Sequence, residues 1–197
     1  MSEIVLLHSV LGVRDGVLEG AERLRAAGHV VHVPDLYGGA VFDDYAEATR
    51  FVDSFGSYPE LMRRSAEAVD GLRSDLVYAG FSNGGGCSTF LAATRPGARG
   101  LLSMHAATPL GVLGLATPWP ASVPVQVHYG RKDPFRQQEW VDAFAADVRG
   151  SGAGYEFVEY PVQGHLFTDR SLPAEYDEAA AEQLWTHAVE FVEWIGG

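Results

Sequence analysis

Short apolar runs rich in β-branched residues alternate with helical patterns along this chain of 197 residues. Such alternation is typical of βαβ units, which build a mostly parallel sheet flanked by helices. The apolar runs predict six strands, at about residues 3–8, 29–33, 75–81, 99–105, 123–129 and 154–160. Apolar residues at helical spacing predict helices at about 15–27, 59–73, 137–148 and 175–195. The sequence therefore predicts an α/β fold with a six-stranded, mainly parallel sheet.

Length and composition predict one domain over residues 1–197. Hydrophobic residues form 47% of the chain, which allows a sizeable core to form without disulfides. No linker or internal repeat divides the sequence, and its single cysteine is Cys87. Met1-Ser2-Glu3 leads directly into the apolar run at 4–7, so we expect neither a signal peptide nor a membrane span. These features together predict a cytoplasmic protein.

The charge balance bears on the kind of partner. Acidic residues number 26 against 14 lysines and arginines, giving a formal net charge of −12 at pH 7, and the basic residues are scattered. Scattered cations on an acidic protein disfavour binding to nucleic acid or to an anionic membrane. We therefore expect a small-molecule ligand, while the sequence leaves the oligomeric state open.

The segment Gly80-Phe81-Ser82-Asn83-Gly84-Gly85-Gly86 matches the G-x-S-x-G pattern of a strand-to-helix turn that presents a nucleophilic serine. A β-prone run precedes it at 75–79, and a small-residue helical run follows at 87–93. Such a turn exposes the Ser82 hydroxyl at the carboxyl edge of the sheet and aims the Asn83 amide at a developing oxyanion. The alternative is a glycine-rich connection of the kind that any α/β protein contains. A dinucleotide-binding loop fits less well, because G-x-G-x-x-G needs a glycine in place of Ser82.

Two further strand ends supply partners for Ser82. Asp133 follows the predicted strand 123–129 on a turn, and His165 follows the strand 154–160 in a loop. A nucleophilic serine needs a base to take its proton, and the base needs a third group to fix its tautomer. Each residue also has an ordinary alternative role, Asp133 as a turn or cap residue and His165 as a loop histidine. The order Ser, Asp, His at three strand ends is that of α/β-hydrolases, and it predicts a catalytic triad.

The remaining histidines and the cysteine predict no metal or cofactor site. His29 and His32 lie three positions apart in one predicted strand, so their side chains point to opposite faces. Cys87 falls in the helix after Ser82, and we interpret it as a small packing residue. No spacing of His, Cys and Asp is that of a zinc site. We therefore expect that the protein uses no cofactor and no metal.

The loop after the first strand, Leu7 to Gly12, is where a second oxyanion donor is expected. The Val10 amide is the first candidate and the Leu11 amide the next. Two aromatic-rich connections, at 36–58 and 106–122, leave carboxyl ends of strands, where ligands bind in open α/β sheets. They predict pocket walls that include Tyr37, Trp119 and, beside the base, Phe167. Packing of these aromatic side chains into the core is the alternative.

These motifs together resemble the dienelactone hydrolase family of α/β-hydrolases. The similarity runs through nearly the whole chain, at Leu7–Gly12, Val33–Tyr37, Gly80–Gly85, Gly130–Pro134 and Gly164–Phe167. The Pro-Asp-Leu-Tyr element at 34–37, combined with the double glycine after Ser82, is its more specific part. The resemblance implies a three-layer α/β-hydrolase sandwich with strand order 2-1-3-4-5-6, and the short chain predicts that no large cap domain is present.

The chain departs from the best-known members of that family. Where they carry a cysteine nucleophile and a glutamate that restrains it, this sequence has Ser82 and Ser9. Their lactone enzymes also hold a substrate carboxylate with arginines, and neither Arg14 nor Arg50 matches such a position. We therefore expect an esterase that cleaves an ester, thioester or lactone of a small organic acid through an acyl-enzyme on Ser82, with Ser9 and Leu11 in the pocket. The alternative is a non-catalytic small-molecule-binding protein on the same fold.

Overall fold

The computed structural model describes residues 1–197 and contains one six-stranded sheet. Its strands are β1 (Glu3–Leu7), β2 (Val30–His32), β3 (Val77–Phe81), β4 (Gly100–Met104), β5 (Val125–Gly130) and β6 (Tyr155–Tyr160). All neighbouring pairs are parallel, and the spatial order is β2-β1-β3-β4-β5-β6. The predicted strands and their order are thereby confirmed.

Six helices cover this sheet. They are α1 (Asp15–Ala26), α2 (Tyr45–Ser54), α3 (Ser57–Ala68), α4 (Asn83–Thr94), α5 (Gln138–Gly150) and α6 (Glu178–Gly196). Helix α1 packs against α6, whereas α2, α3 and α4 form a second packed group. Strands β3, β4 and β5 are buried along their whole length, as expected when helices cover both faces of a parallel sheet. None of the helices is long and apolar enough to cross a membrane.

Two helices have different bounds from those predicted. Helix α3 ends at Ala68 rather than near 73. The backbone leaves the α-helical conformation at Val69 and then turns at Gly71, whose φ is +83°. Helix α6 begins at Glu178 rather than near 175, because the Asp177 side chain caps it by accepting a hydrogen bond from the Ala180 amide. The carboxylate of Glu175 is therefore outside the helix and available for contacts in the site.

The two aromatic-rich connections differ in structure. The first, at 36–58, contains the whole of α2, which begins after Asp44 because that carboxylate accepts a hydrogen bond from the Glu47 amide. The second, at 106–122, forms turns without a helix or strand, as its prolines predict. Both connections leave the carboxyl edge of the sheet, so that edge receives a helical wall on one side and an irregular wall on the other.

Candidate active site

Ser82 occupies the sharp turn between β3 and α4. Its φ is 52° and its ψ is −116°, a backbone conformation that a residue with a side chain rarely adopts. The turn is held by the Ser82 amide, which donates a hydrogen bond to the Met104 carbonyl at 2.8 Å. A Cβ on Gly80 would collide with the Gly84 backbone, and a Cβ on Gly84 would collide with the carbonyl of His8. The glycines therefore allow β3, α4 and the loop after β1 to meet around the serine.

The structure brings Ser82, His165 and Asp133 together at the carboxyl edge of the sheet. The Ser82 Oγ lies 2.8 Å from the His165 Nε2, and the His165 Nδ1 lies 2.6 Å from the Asp133 Oδ2. An ionised carboxylate can only accept a hydrogen bond, so the His165 Nδ1 carries the proton and its Nε2 accepts from the serine hydroxyl. Both His165 and Asp133 are buried, which shields this chain of hydrogen bonds from water.

Short local contacts position the acid and the base. Asp133 follows β5 on a turn, where its second carboxylate oxygen accepts a hydrogen bond from the Phe135 amide at 2.8 Å. The loop after β6 is held by Glu175, which accepts a hydrogen bond from the Leu166 amide at 2.7 Å. A Cβ on Gly164 would collide with the Glu175 backbone, so the residue before His165 must be this small. Each side chain is thus fixed by its neighbours in the loop as well as by the other two residues.

The loop after β1 leaves the Val10 amide without a hydrogen-bond acceptor. Ser9 accepts hydrogen bonds from the two amides that follow Val10. Its Oγ accepts from the Leu11 amide at 3.2 Å, and its carbonyl accepts from the Gly12 amide at 3.1 Å. The Val10 amide has no such acceptor, and Val10 lines the same cavity as Asn83 and Ser82. The Asn83 amide is the first of α4 and has no acceptor within that helix. These contacts favour Val10 over Leu11 as the second oxyanion donor.

A cavity of about 710 Å³ opens above Ser82. Besides Ser82, Asn83, His165 and Val10, its walls contain Tyr45, Thr49, Tyr58, Pro59, Met62, His105, Ala106, Ala107, Thr108, Val112, Leu113, Gly114, Tyr129, Phe135, Gln137 and Trp140. The two aromatic-rich connections both contribute, as predicted. The size and the predominantly apolar walls are those of a site for a small organic molecule.

The aromatic residues predicted for these walls lie elsewhere. Tyr37 is buried and packs edge-on against the His8 ring, with its ring centroid 4.6 Å away, and it does not line the cavity. Trp119 is buried against Phe144, and its Nε1 donates to the Val123 carbonyl at 2.8 Å. Phe167 is fully buried. The prediction was wrong for all three, because each ring finds more apolar surface in the core than at the open edge.

Ser9 and Leu11 do not line the cavity either. The Ser9 side chain is buried and is used within its own loop, as a hydrogen-bond acceptor for the Leu11 amide. The Leu11 side chain is fully buried in the hydrophobic core. The prediction was wrong for both side chains, because the Ser9 hydroxyl is engaged within its own loop and the Leu11 side chain packs in the core.

Several wall residues were not singled out from the sequence, although they carry a recognisable signal. Tyr45 and Thr49 are four apart on α2, and Tyr58 and Met62 are four apart on α3, so each pair shares one helix face. Phe135 lies two residues after Asp133 and has a half-exposed side chain, 51% accessible. Tyr45, Thr49 and Tyr58 belong to the connection 36–58 that was predicted to form a wall, but the sequence did not indicate which of its residues share the face toward Ser82.

His105 is a further unpredicted wall residue, at the end of β4. Its φ is 59°, its Nδ1 is buried without a hydrogen-bond partner, and its Nε2 lies 3.4 Å from the Thr168 Oγ1. Burial, and then the neighbouring His165 and His128 rings, hold the pKa of His105 well below its usual value. The ring is therefore neutral, so it adds no positive charge next to His165.

Neither a reactive thiol nor a cluster of metal-binding side chains is present. Cys87 is buried in α4, and burial raises the pKa of its thiol to about 12, so the reactive thiolate is not available near neutral pH. The structure contains no group of three or more His, Cys, Asp or Glu side chains arranged to hold a metal ion.

Comparison with known proteins gives consistent matches over almost the whole chain. A sequence model described as the dienelactone hydrolase family matches residues 1–195. Carboxymethylenebutenolidase from Rhodococcus opacus is 28% identical over 205 residues, covering 96% of this chain and 80% of the relative. A dienelactone hydrolase-like promiscuous phosphotriesterase from metagenomic libraries has a TM-score of 0.82 at 23% identity, covering 99% of this chain and 87% of that one. A dienelactone hydrolase from Anabaena variabilis has a TM-score of 0.67 at 19% identity, covering 96% and 84% respectively. At these identities the two solved structures demonstrate a shared fold.

Proposed function

The chain belongs to the dienelactone hydrolase family and is a hydrolase of ester bonds, and from this premise we propose that it cleaves its substrate through an acyl-enzyme on Ser82. The substrates that we propose are esters, thioesters or lactones of small organic acids. One observation carries the proposal: a continuous chain of hydrogen bonds runs from the Ser82 Oγ through the His165 imidazole to the Asp133 carboxylate. A binding protein without turnover would have no use for a buried base in this tautomer.

Acylation follows from the geometry. The Ser82 Oγ attacks the substrate carbonyl carbon while its proton passes to the His165 Nε2, 2.8 Å away. The Asp133 carboxylate keeps the His165 Nδ1–H in place and stabilises the imidazolium that forms. The oxyanion of the tetrahedral intermediate accepts hydrogen bonds from the Asn83 and Val10 amides. The intermediate collapses when the Nε2 proton is given to the leaving oxygen or sulfur; an ester or thioester releases its alcohol or thiol, whereas the hydroxyl of an opened lactone stays on the acyl chain.

Deacylation repeats the same steps with water. The His165 Nε2, neutral again, takes a proton from a water molecule that attacks the acyl carbon. The second tetrahedral intermediate uses the same two amides and collapses when the proton on Nε2 returns to the Ser82 Oγ. The free acid leaves and the enzyme is restored, so the cycle consumes only one water molecule and needs no other reactant.

A fluorophosphonate probe and a para-nitrophenyl ester test this proposal. The probe labels only an activated serine, so wild-type protein should gain one adduct on Ser82, measured by intact and peptide mass spectrometry. Ser82→Ala should lose both the adduct and the ester hydrolysis, while Cys87→Ala should retain both. If Ser82→Ala folds and keeps its activity while Cys87→Ala loses it, the nucleophile is the thiol and the proposal is wrong. Absence of labelling and of hydrolysis in folded wild type would favour a binding protein.

A further inference from the structure

We propose that the cavity above Ser82 selects uncharged esters and rejects esters that carry a carboxylate. The inference rests on the proposed function and adds the substrate class to it. Its basis is the distribution of charge: no Asp, Glu, Lys or Arg side chain lines the cavity. A carboxylate that leaves water for such a site loses hydration without gaining an ionic partner.

The arginines near the site are already engaged by acids of the protein itself. Arg14 is buried, and its guanidinium donates to Asp43 at 2.7 Å and to Asp169 at 3.0 Å. Arg136 lies between two wall residues in the sequence, but its guanidinium donates to Glu159 at 2.6 Å. Moving the Arg14 guanidinium away would leave the buried Asp169 carboxylate without its ionic partner. These side chains are therefore poorly suited to bind a substrate anion.

Three further cations near wall residues in the sequence do not line the cavity either. Arg64 on α3 donates to the Leu36 carbonyl at 2.8 Å, and its guanidinium lies over the Phe55 ring. Arg50 is exposed next to the wall residue Thr49, yet it is not itself a wall residue. Lys132, the single lysine of the chain, is exposed beside Asp133 and does not line the cavity. No basic side chain is thus positioned to meet a ligand above Ser82.

Two carboxylates also lie directly behind the walls, in addition to the Arg136 guanidinium over the Tyr129 ring, which is paired with Glu159. The Asp133 carboxylate is behind His165, and the Glu175 carboxylate is behind Tyr45, whose hydroxyl donates to it at 2.9 Å. Because that hydroxyl is already donating, it is not a free donor for a ligand carboxylate. A substrate anion would therefore meet repulsion from both acids, which adds to the loss of its hydration.

The walls of the cavity present apolar and aromatic side chains to a ligand, and no charged ones. Tyr58 and Met62 from α3 face the cavity on one side, and Val112 with Leu113 face it from the irregular connection. Phe135 adds a half-exposed ring whose centroid lies 4.7 Å from that of the His165 ring. An aliphatic chain or an aromatic ring gains free energy by leaving water for these surfaces, whereas a carboxylate does not.

Two matched pairs of esters test the selection. On the acyl side they are para-nitrophenyl methyl adipate and mono-para-nitrophenyl adipate; on the alcohol side they are para-acetoxybenzamide and para-acetoxybenzoate. Within each pair the molecules differ mainly in one negative charge. We expect wild-type protein to have the greater kcat/KM for the uncharged member of both pairs. In at least one pair the difference should reach roughly 100-fold. Equal rates for the charged member of either pair would overturn the inference.

Binding to Ser82→Ala separates this inference from the proposed function. If wild type hydrolyses none of the four esters, the proposed function fails, and calorimetric titration of the same esters onto Ser82→Ala then decides the selection. Tighter binding of the uncharged members supports it, and equal or weaker binding overturns it. The readout therefore does not depend on turnover.

Adding a cation to the wall is the converse test. Val112→Lys places an ammonium group at an exposed wall position, and Met62→Lys provides an independent site if the first variant does not fold. Either variant should narrow the preference for the uncharged ester at least about tenfold, because the carboxylate gains a partner. Val30→Lys is the matched control, since it adds the same charge at the start of β2, on the opposite edge of the sheet. An unchanged preference in both folded wall variants, or the same change in Val30→Lys, would contradict the inference.

Discussion

The Glu175 carboxylate accepts hydrogen bonds from the Tyr45 hydroxyl, whose oxygen lies 2.9 Å from Oε1 and 3.1 Å from Oε2. The same carboxylate accepts a hydrogen bond from the amide of Leu166, the residue after His165. Tyr45 begins α2 and its ring centroid lies 5.9 Å from that of His165. This one carboxylate therefore joins the helical wall of the cavity to the loop that carries the base.

Removing the Tyr45 hydroxyl should destabilise the protein by about 1.5–3 kcal/mol, since a partly buried hydrogen bond to a carboxylate is lost. We expect this of Tyr45→Phe in urea unfolding. Tyr155→Phe is the matched control, because the Tyr155 hydroxyl is buried without a partner. Its removal should leave the free energy of unfolding unchanged or slightly raised. Equal losses in the two variants would mean that the link between Tyr45 and Glu175 contributes nothing to stability.

Asp133→Asn should lower kcat/KM by a factor on the order of 10⁴ while the protein stays folded. The asparagine can present its NH₂ to the His165 Nδ1, which favours the tautomer with the proton on Nε2, and that tautomer cannot accept the serine proton. Esterase assays and circular dichroism provide the two measurements. Asp142→Asn, at an exposed position of α5, is the control and should keep full activity. An Asp133→Asn enzyme within tenfold of wild type would remove Asp133 from the proposed mechanism.

Gly84→Ala should destabilise the protein by roughly 1–3 kcal/mol or prevent folding, because its Cβ would overlap the carbonyls of Leu7 and His8. Gly150→Ala is the control. Gly150 ends α5 and a Cβ there meets no atom within 4 Å, so alanine should be neutral or stabilising by about 0.5–1 kcal/mol. Urea unfolding midpoints measure both changes. Tolerance of alanine at position 84 would mean that the turn around Ser82 is not closely packed.

His128 should make stability depend on pH below its ordinary pKa of 6.5. Burial lowers the pKa of His128 to about 3 in the folded protein, where the Tyr160 hydroxyl donates to its Nδ1 and its Nε2 donates to the Gln126 Oε1. Between about pH 6.5 and 3 the unfolded chain binds a proton that the folded protein does not, so stability falls as the pH is lowered, by up to about 1.4 kcal/mol per pH unit.

The slope of stability against pH is the measurement for this prediction. Folding free energies of wild type and His128→Gln are compared between pH 6.5 and 4, and the variant should have the shallower slope whatever its stability at pH 7. The comparison of slopes removes the general loss of packing caused by the substitution. Parallel curves would mean that His128 takes up a proton equally in the folded and unfolded states.

Much of the site could be predicted because it lies next to local signals. Strands β3, β5 and β6 end at residues 81, 130 and 160. Within five residues these ends are followed by Ser82, Asp133 and His165, respectively. In a parallel sheet the carboxyl ends of the strands share one edge, so these residues had to be near each other once the alternation of strands and helices was recognised. The Ser82 turn itself is marked in the sequence by its glycines, because glycine is required where two backbones approach each other this closely.

The walls of the cavity and its charge were decided by tertiary structure. Tyr37 and Tyr45 are both tyrosines of one aromatic connection, yet the first packs against His8 in the core and the second reaches Glu175, 130 positions later. Arg14 likewise meets Asp169 across 155 positions. Sequence by itself determined the sheet, the turn and the order of the three candidate residues, because periodicity and glycine placement act over a few residues. Which aromatic faces the ligand, and which arginine is left to bind it, depends on contacts between distant segments that form only when the helices pack on the sheet.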